Sequence, residues 1–382
     1  MTIRRDLALM LICLLAVLGS VAAFNFVANP YRAWSTALVD DTYLKIDLGQ
    51  ERLSTPYRVR AEAPTLMLTG TSRMLYGMWI EQGNRDGVLN AALADASLDE
   101  TAAVIELALR NDRLRRIVWN VEFVAFSEHR RGFRDGATQA RLSGDPLRMV
   151  RETLLSMDAL EASGRLLLRA AGGSGRLPER RLLPVPWPAA AIRAQFDAIG
   201  DRPSGDGIPA AVDQHVRDWL REYGQYRRSD VQWDLFRRTV DHVRASGIEL
   251  ILLVPPMSIF ELETIRQTGA WPTFMAWKRE LSGVSPYWDF SGYNDVAERD
   301  ELYTFPIFCH FKPVVGHSVL RRVLGGDCAE CGPLAQTVVD AGVWVDPSTV
   351  EAHVTEQDSA RARLTEAPPP AVEAVAQVVG KE

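Results

Sequence analysis

The chain has 382 residues, of which 47% are hydrophobic, and a formal net charge of −6. That apolar share belongs to a protein with a packed core and excludes a disordered chain, and the length suits one large domain or two ordinary ones. Lysine and arginine are interspersed with aspartate and glutamate, so no basic face argues for a nucleic-acid partner.

The first element expected is a long apolar helix. After Arg4 and Arg5 runs "LALMLICLLAVLGSVAAFNFVA", with Asp6 before it and Asn25 near its end as the breaks. This is about the length, ~20 residues, that a helix needs to cross a bilayer. Such a run is a signal anchor or a signal peptide. Val21, Ala22 and Ala23 offer a cleavage site, but the run outlasts a typical signal-peptide core and continues through Phe24, Phe26 and Val27, which favours an uncleaved anchor. The paired arginines predict a cytoplasmic N-terminus and an exported body by the positive-inside bias. Residues 1–28 are therefore read as a membrane anchor or signal segment, and the membrane as a partner. Pro30 stops the helix, and 29–62 form a connecting segment.

From residue 63 short apolar runs alternate with helical patterns, the signature of an α/β domain with a parallel sheet and flanking helices. "TLMLTG" is the first strand, "GVLNAAL" the second, "RRIVWNVEF" the third, "GIELILLVPP" the fourth and "SPYWDFSGY" a fifth. After the second strand, Ser97 with Glu100 three residues on is a capping box for the helix "LDETAAVIELALRND". Between the third and fourth strands the alternation stops. Amphipathic patterns such as "DPLRMVRETLLSMDALEASGRLLLRAA" and the proline-rich "RLLPVPWPAA" read as a helical insertion over about 138–225. Trp271, Phe274 and Trp277 fall at helical spacing and are expected to be a packing face. The α/β domain is expected over 63–325 and a C-terminal extension over 326–382, with a largely disordered Pro/Ala/Val/Glu tail after about 360.

The chemistry-bearing residues cluster at a few places. In a parallel sheet ligands bind at the carboxyl ends of strands, and "GTS" puts Ser72 just past the first one. A serine there is either a nucleophile or the polar start of the next helix. "FCHFKPVVGHSVLRRVL" places His310 in a loop, with Pro313 opening the last helix of the domain. The other five histidines, His129, His215, His242, His317 and His353, read as structural, and no metal-ligand spacing such as HExxH occurs. Cys328 and Cys331 in "CAEC" form a local disulfide, accept Cys309, or stay unpaired; Cys13 lies in the anchor. No second ligand pair stands near them for a structural zinc, and no cofactor is expected.

A serine on the first strand and a histidine just before the last helix is the layout of the SGNH or GDSL-type esterases. More closely, the chain resembles the membrane-anchored bacterial SGNH-hydrolase-like proteins of unknown substrate, which are distantly similar to polysaccharide O-acetylation proteins. The resemblance rests on "GTSR" at 70–73, "AWKREL" at 276–281, "YWDFSGYN" at 287–294 and "HFKPVVG" at 310–316, in the expected order. It implies an SGNH-like, flavodoxin-like sheet, with Ser72 as nucleophile, His310 as its base and the Ser72 backbone N–H as one oxyanion donor. Asn90 and Asn120 are the available amides for the other oxyanion donors, because Ala94 or Asp95 stands where the family has a glycine. Arg73 is a candidate for holding an anionic substrate group. The family's orienting aspartate is replaced by Ile307, which leaves Asp289, Asp300 and Glu301 as candidates for that role. Two functions follow: an exported serine esterase or O-acyltransferase acting on a cell-envelope glycan, or a catalytically inactive binding or assembly component of an envelope polysaccharide system.

Overall fold

The computed structural model describes residues 2–34, 50–78, 87–172, 210–299, 302–303, 308–325, 327–328, 332–333, 341–364 and 370–380. The chain starts with α1 (Thr2–Ala28), whose apolar window is unburied and long enough to cross a membrane. Next come α2 (Glu51–Glu62), β1 (Leu66–Thr69), α3 (Ser72–Gly77), β2 (Val88–Asn90), α4 (Leu98–Ala108) and β3 (Arg116–Asn120). Ser97 and Glu100 cap α4 reciprocally, so two orphan backbone N–H groups at its start are satisfied.

Between β3 and the next strand lie α5 (Gly136–Leu142), α6 (Pro146–Leu154), α7 (Met157–Gly172), α8 (Ala210–Gly224) and α9 (Asp230–Ala245). Then follow β4 (Glu249–Val254), α10 (Ile259–Gln267), α11 (Trp271–Val284), β5 (Tyr287–Asp289) and α12 (Pro313–Leu324). The C-terminal part adds a two-residue hairpin, β6 (Asp327–Cys328) with β7 (Gly332–Pro333), then β8 (Val343–Val345), α13 (Val350–Leu364) and α14 (Pro370–Val379).

The main sheet has the order β2-β1-β3-β4-β5-β8. All its pairings are parallel except the last, where β8 runs antiparallel to β5. The strand order therefore reverses at β1, and the crevice between the carboxyl ends of β1 and β3 is where such sheets bind ligands. The central strands are apolar on both faces because helices cover both; Leu66, Met67, Leu68, Ile117, Val118 and Leu253 are fully buried. On α11, Trp271, Phe274 and Trp277 are buried as their spacing implied.

The tail corrects one expectation. In place of disorder after about 360, α13 continues to Leu364 and α14 follows, with Ala371, Val375 and Val378 buried in the core. Those three positions repeat at i, i+4 and i+7, one face of a helix, and that face docks on α8 and α10.

Candidate active site

The turn after β1 is built by a glycine and an asparagine. Gly70 has a φ of +132°, and a side chain there would stand 1.5 Å from Asn120 Oδ1. With no side chain in the way, the Asn120 amide reaches the turn: its Oδ1 accepts from the Thr71 N–H at 2.9 Å, and its Nδ2 donates to Thr71 Oγ1 and Glu122 Oε1, each at 3.2 Å. The Thr71 hydroxyl also bonds to Glu122 and accepts from the Arg73 N–H as the cap of α3. Ser72 is thereby fixed as the first residue of α3, at the carboxyl end of β1.

His310 arrives from the far end of the domain. Helix α12 packs on α3 with almost no separation: a Cβ on Gly316 would lie 1.8 Å from the Gly77 carbonyl oxygen. Phe311 is buried against Gly77, and the Lys312 N–H donates to Leu302 O at 2.7 Å. The histidine just before α12 is thus held over the start of α3, and His310 Nε2 lies 2.9 Å from Ser72 Oγ. The ring also meets Tyr76 edge-on, with centroids 5.2 Å apart. Burial, helped by the nearby charges of Arg73 and His215, pulls the His310 pKa down to about 3. At neutral pH the ring is therefore uncharged and able to accept a proton.

The remaining candidates are placed elsewhere or otherwise engaged. Arg73 is buried, not presented to a substrate: it donates to Glu261 Oε1 at 2.5 Å and lies 3.6 Å from Glu122. Burial opposes its charge, but Glu261 and then Glu122 outweigh it and keep the guanidinium protonated. Asn90 spends its Nδ2 on the Met74 and Met78 carbonyls, closing the end of α3, and its Oδ1 on the Ala92 N–H. It does not serve as an oxyanion donor in this arrangement, and Asn120 holds the turn with its amide committed to Thr71 and Glu122.

Asp289 does not orient His310. Its carboxylate takes Lys278 Nζ at 2.7 Å, His353 Nε2 at 2.8 Å, and the N–H and hydroxyl of Ser291. The "AWKREL" and "YWDFSGYN" segments thus meet each other in a buried ion pair, to which His353 of α13 adds. Asp300, Glu301 and Ile307 lie outside the described residues, as does Cys331. Cys309 is a free thiol, which removes it as a disulfide partner for "CAEC".

Three site residues went unnoticed in the sequence: Glu122, Glu261 and Tyr223. Tyr223 donates to Glu261 Oε1 at 2.5 Å, so α8, α10 and α3 are tied together beside the Ser72–His310 pair. The signal was a carboxylate inside an apolar stretch, "NVEF" and "SIFELETI", which demands a buried partner. A cavity of about 10 Å³ lies between Thr71, Ala96, Asn120 and Glu122, room for a single water-sized group. Comparison of the chain with protein-family models, with curated proteins and with solved structures finds no match to any of them.

Proposed function

We propose that the protein is an exported, membrane-anchored serine esterase or O-acyltransferase of SGNH-like fold that acts on a cell-envelope glycan through Ser72 and His310. The observation that carries this reading is the 2.9 Å hydrogen bond between His310 Nε2 and Ser72 Oγ at the carboxyl end of β1. The strand order β2-β1-β3-β4-β5, which is that of flavodoxin-like sheets, supports the fold assignment. Arg4 and Arg5 in the first turn of α1 support a body on the non-cytoplasmic side.

In this reading the neutral imidazole takes the Ser72 hydroxyl proton as Oγ attacks an acyl carbonyl carbon. The Ser72 N–H, one of the first N–H groups of α3 without an intrahelical partner, faces the oxyanion that forms. The tetrahedral adduct collapses, His310 returns the proton to the departing alcohol, and the acyl group stays on Ser72. Water then releases the acid in an esterase, or a glycan hydroxyl takes the acyl group in a transferase.

A second reading, an inactive binding or assembly component, has its own support. Asp289 is committed to Lys278 and His353, Asn120 to Thr71 and Glu122, and among the described residues no carboxylate hydrogen-bonds His310. Loss of the acid in such a triad costs about 10⁴ in turnover. Intact-mass labelling of the detergent-solubilised chain with a fluorophosphonate decides between them. Single-site labelling that disappears in Ser72→Ala and His310→Ala is the expected result; a well-folded chain that takes no label refutes serine catalysis.

A further inference from the structure

We propose that the corner between α6 and α7 lies on the membrane and forms a second, interfacial contact beside the anchor helix. The inference rests on reading α1 as a membrane span. Helices α6 and α7 pack on the last turns of α1, and the contact is specific. Asn25, the one polar break near the end of the apolar run, is fully buried, and its Nδ2 donates to Leu154 O at 2.8 Å. Just past the helix, Trp34 turns back to lie 5.7 Å from the Phe26 ring, and its Nε1 donates to Thr153 Oγ1 at 3.1 Å.

These bonds fix the height of the corner. From Leu7 to Ala28 the helix is about 33 Å long at ~1.5 Å per residue, against roughly 30 Å of hydrocarbon. Asn25 stands about one turn inside the end, so the Leu154 carbonyl it grips is held at the boundary between acyl chains and headgroups. The side of α6 turned to the body is polar: Glu152 accepts from Tyr57, Arg141 and Arg148. The opposite side presents Leu147, Val150 and Leu154 at helical spacing, with Arg151 beside them. At the corner Leu155 and Met157 join this face, and Leu147 and Met157 are 78% and 75% exposed.

Large exposed apolar side chains on helices packed against α1, where Phe24 and Val27 are exposed as well, fit acyl chains and not water. Arg151 suits the phosphate level above them, and Trp34 is the residue type favoured at that depth. The occupant is therefore the non-cytoplasmic leaflet of the bilayer that α1 crosses. Its effect is to fix the tilt of the exported body and the height of the Ser72 site above the membrane.

The test uses the full chain, its four natural cysteines replaced by serine, in vesicles of phosphatidylcholine with phosphatidylglycerol. Nitroxide labels are placed singly at Leu147→Cys, Met157→Cys, Leu11→Cys as a position inside α1, and Asp234→Cys as an exposed position on α9. The expected result is an oxygen-to-nickel accessibility ratio at 147 and 157 several-fold above that at 234 and below that at 11. Ratios at 147 and 157 equal to that at 234, with position 11 in lipid, overturn this proposal and leave the span standing. A water-like ratio at 11 overturns the span and this inference with it. Shielding of 147 and 157 from both reagents assigns the face to a protein partner or a second copy and overturns the bilayer as its occupant.

Discussion

The contact between α3 and α12 is where fold and site depend on each other most directly, and Gly316→Ala probes it. The added methyl would stand 1.8 Å from the Gly77 carbonyl oxygen and 3.2 Å from Met78 Cα, both backbone atoms that cannot rotate away. An ordinary C···O contact is about 3.3–3.6 Å, so the two helices must part by roughly 1.5 Å. His310 precedes α12 and Ser72 begins α3, so that displacement falls on a hydrogen bond of 2.9 Å and carries it past the length at which it counts as one. Overpacking of this kind costs about 1–3 kcal/mol, and a misplacement of about 1 Å costs around 10²-fold in reactivity. The expected outcome is a folded chain with a lower urea midpoint, an unchanged slope, and fluorophosphonate labelling slowed by about two orders of magnitude. Gly283→Ala is the control: it lies in α11 with nothing near its missing side chain, and the substitution should be neutral or stabilise by up to ~1 kcal/mol. A Gly316→Ala chain that labels at the unaltered rate refutes the coupling of helix packing to site geometry.

Three further outcomes are expected. Lys278→Met leaves the buried Asp289 carboxylate without its main counter-charge and should destabilise by about 3–5 kcal/mol; adding Asp289→Leu should restore part of that loss, and equal denaturation midpoints for the single and double variants would contradict it. Labelling of Ser72 should stay level from pH 8 to about 5 and fall only toward pH 3, because burial pulls the His310 pKa down to about 3 and the proposed base is the neutral ring. Stability should move in the same direction: below the unfolded histidine value of ~6.5 the unfolded chain binds protons that the folded His310 refuses, so stability is lost as pH falls from there toward 3. His215, pulled down to about 4 by burial, adds to the same trend. A labelling midpoint near 6.5 would show a solvated ring and contradict the buried geometry.

The strands were legible because a parallel sheet covered on both faces demands continuous apolar runs, and each of the five runs ends in a turn or polar residue. The serine and the histidine were legible for a related reason: each belongs to an element end, and element ends can be located from local sequence. The acid could not be found in the same way. Asp289 is at the end of a strand, as a site residue should be, but β5 lies three places from β1 in the sheet. At ~4.8 Å per strand that is about 14 Å, a distance fixed by strand order alone. Its true partners come from α11 and from α13, the latter 64 residues further along the chain. Nothing local in "EAHVTEQ" announces that contact. The tail is the opposite case: its alanines and valines did carry a helical stripe, and low sequence complexity concealed it.

Two buried polar constellations stand at strand ends, and their chemistry sets them apart. At β5, Asp289 has both carboxylate oxygens filled, Lys278 is fully buried, and the cluster contains no group free to attack a substrate. It fastens α11 and α13 to the sheet edge. At β1, Ser72 and His310 are half-buried and share a single hydrogen bond, while the buried Arg73 beside them is paired with Glu261 and Glu122. The ring of His310 is positioned by the edge of Tyr76 and by the seating of α12 on α3. Among the described residues, packing therefore does what a carboxylate does in a full triad. Packing of this kind directs the imidazole without a negative charge behind it, so in the proposed mechanism a proton taken from Ser72 would be held less firmly. Under the proposed mechanism such a dyad would turn over slowly and depend on the seating of α12 on α3, which is why a methyl group on Gly316 should harm it.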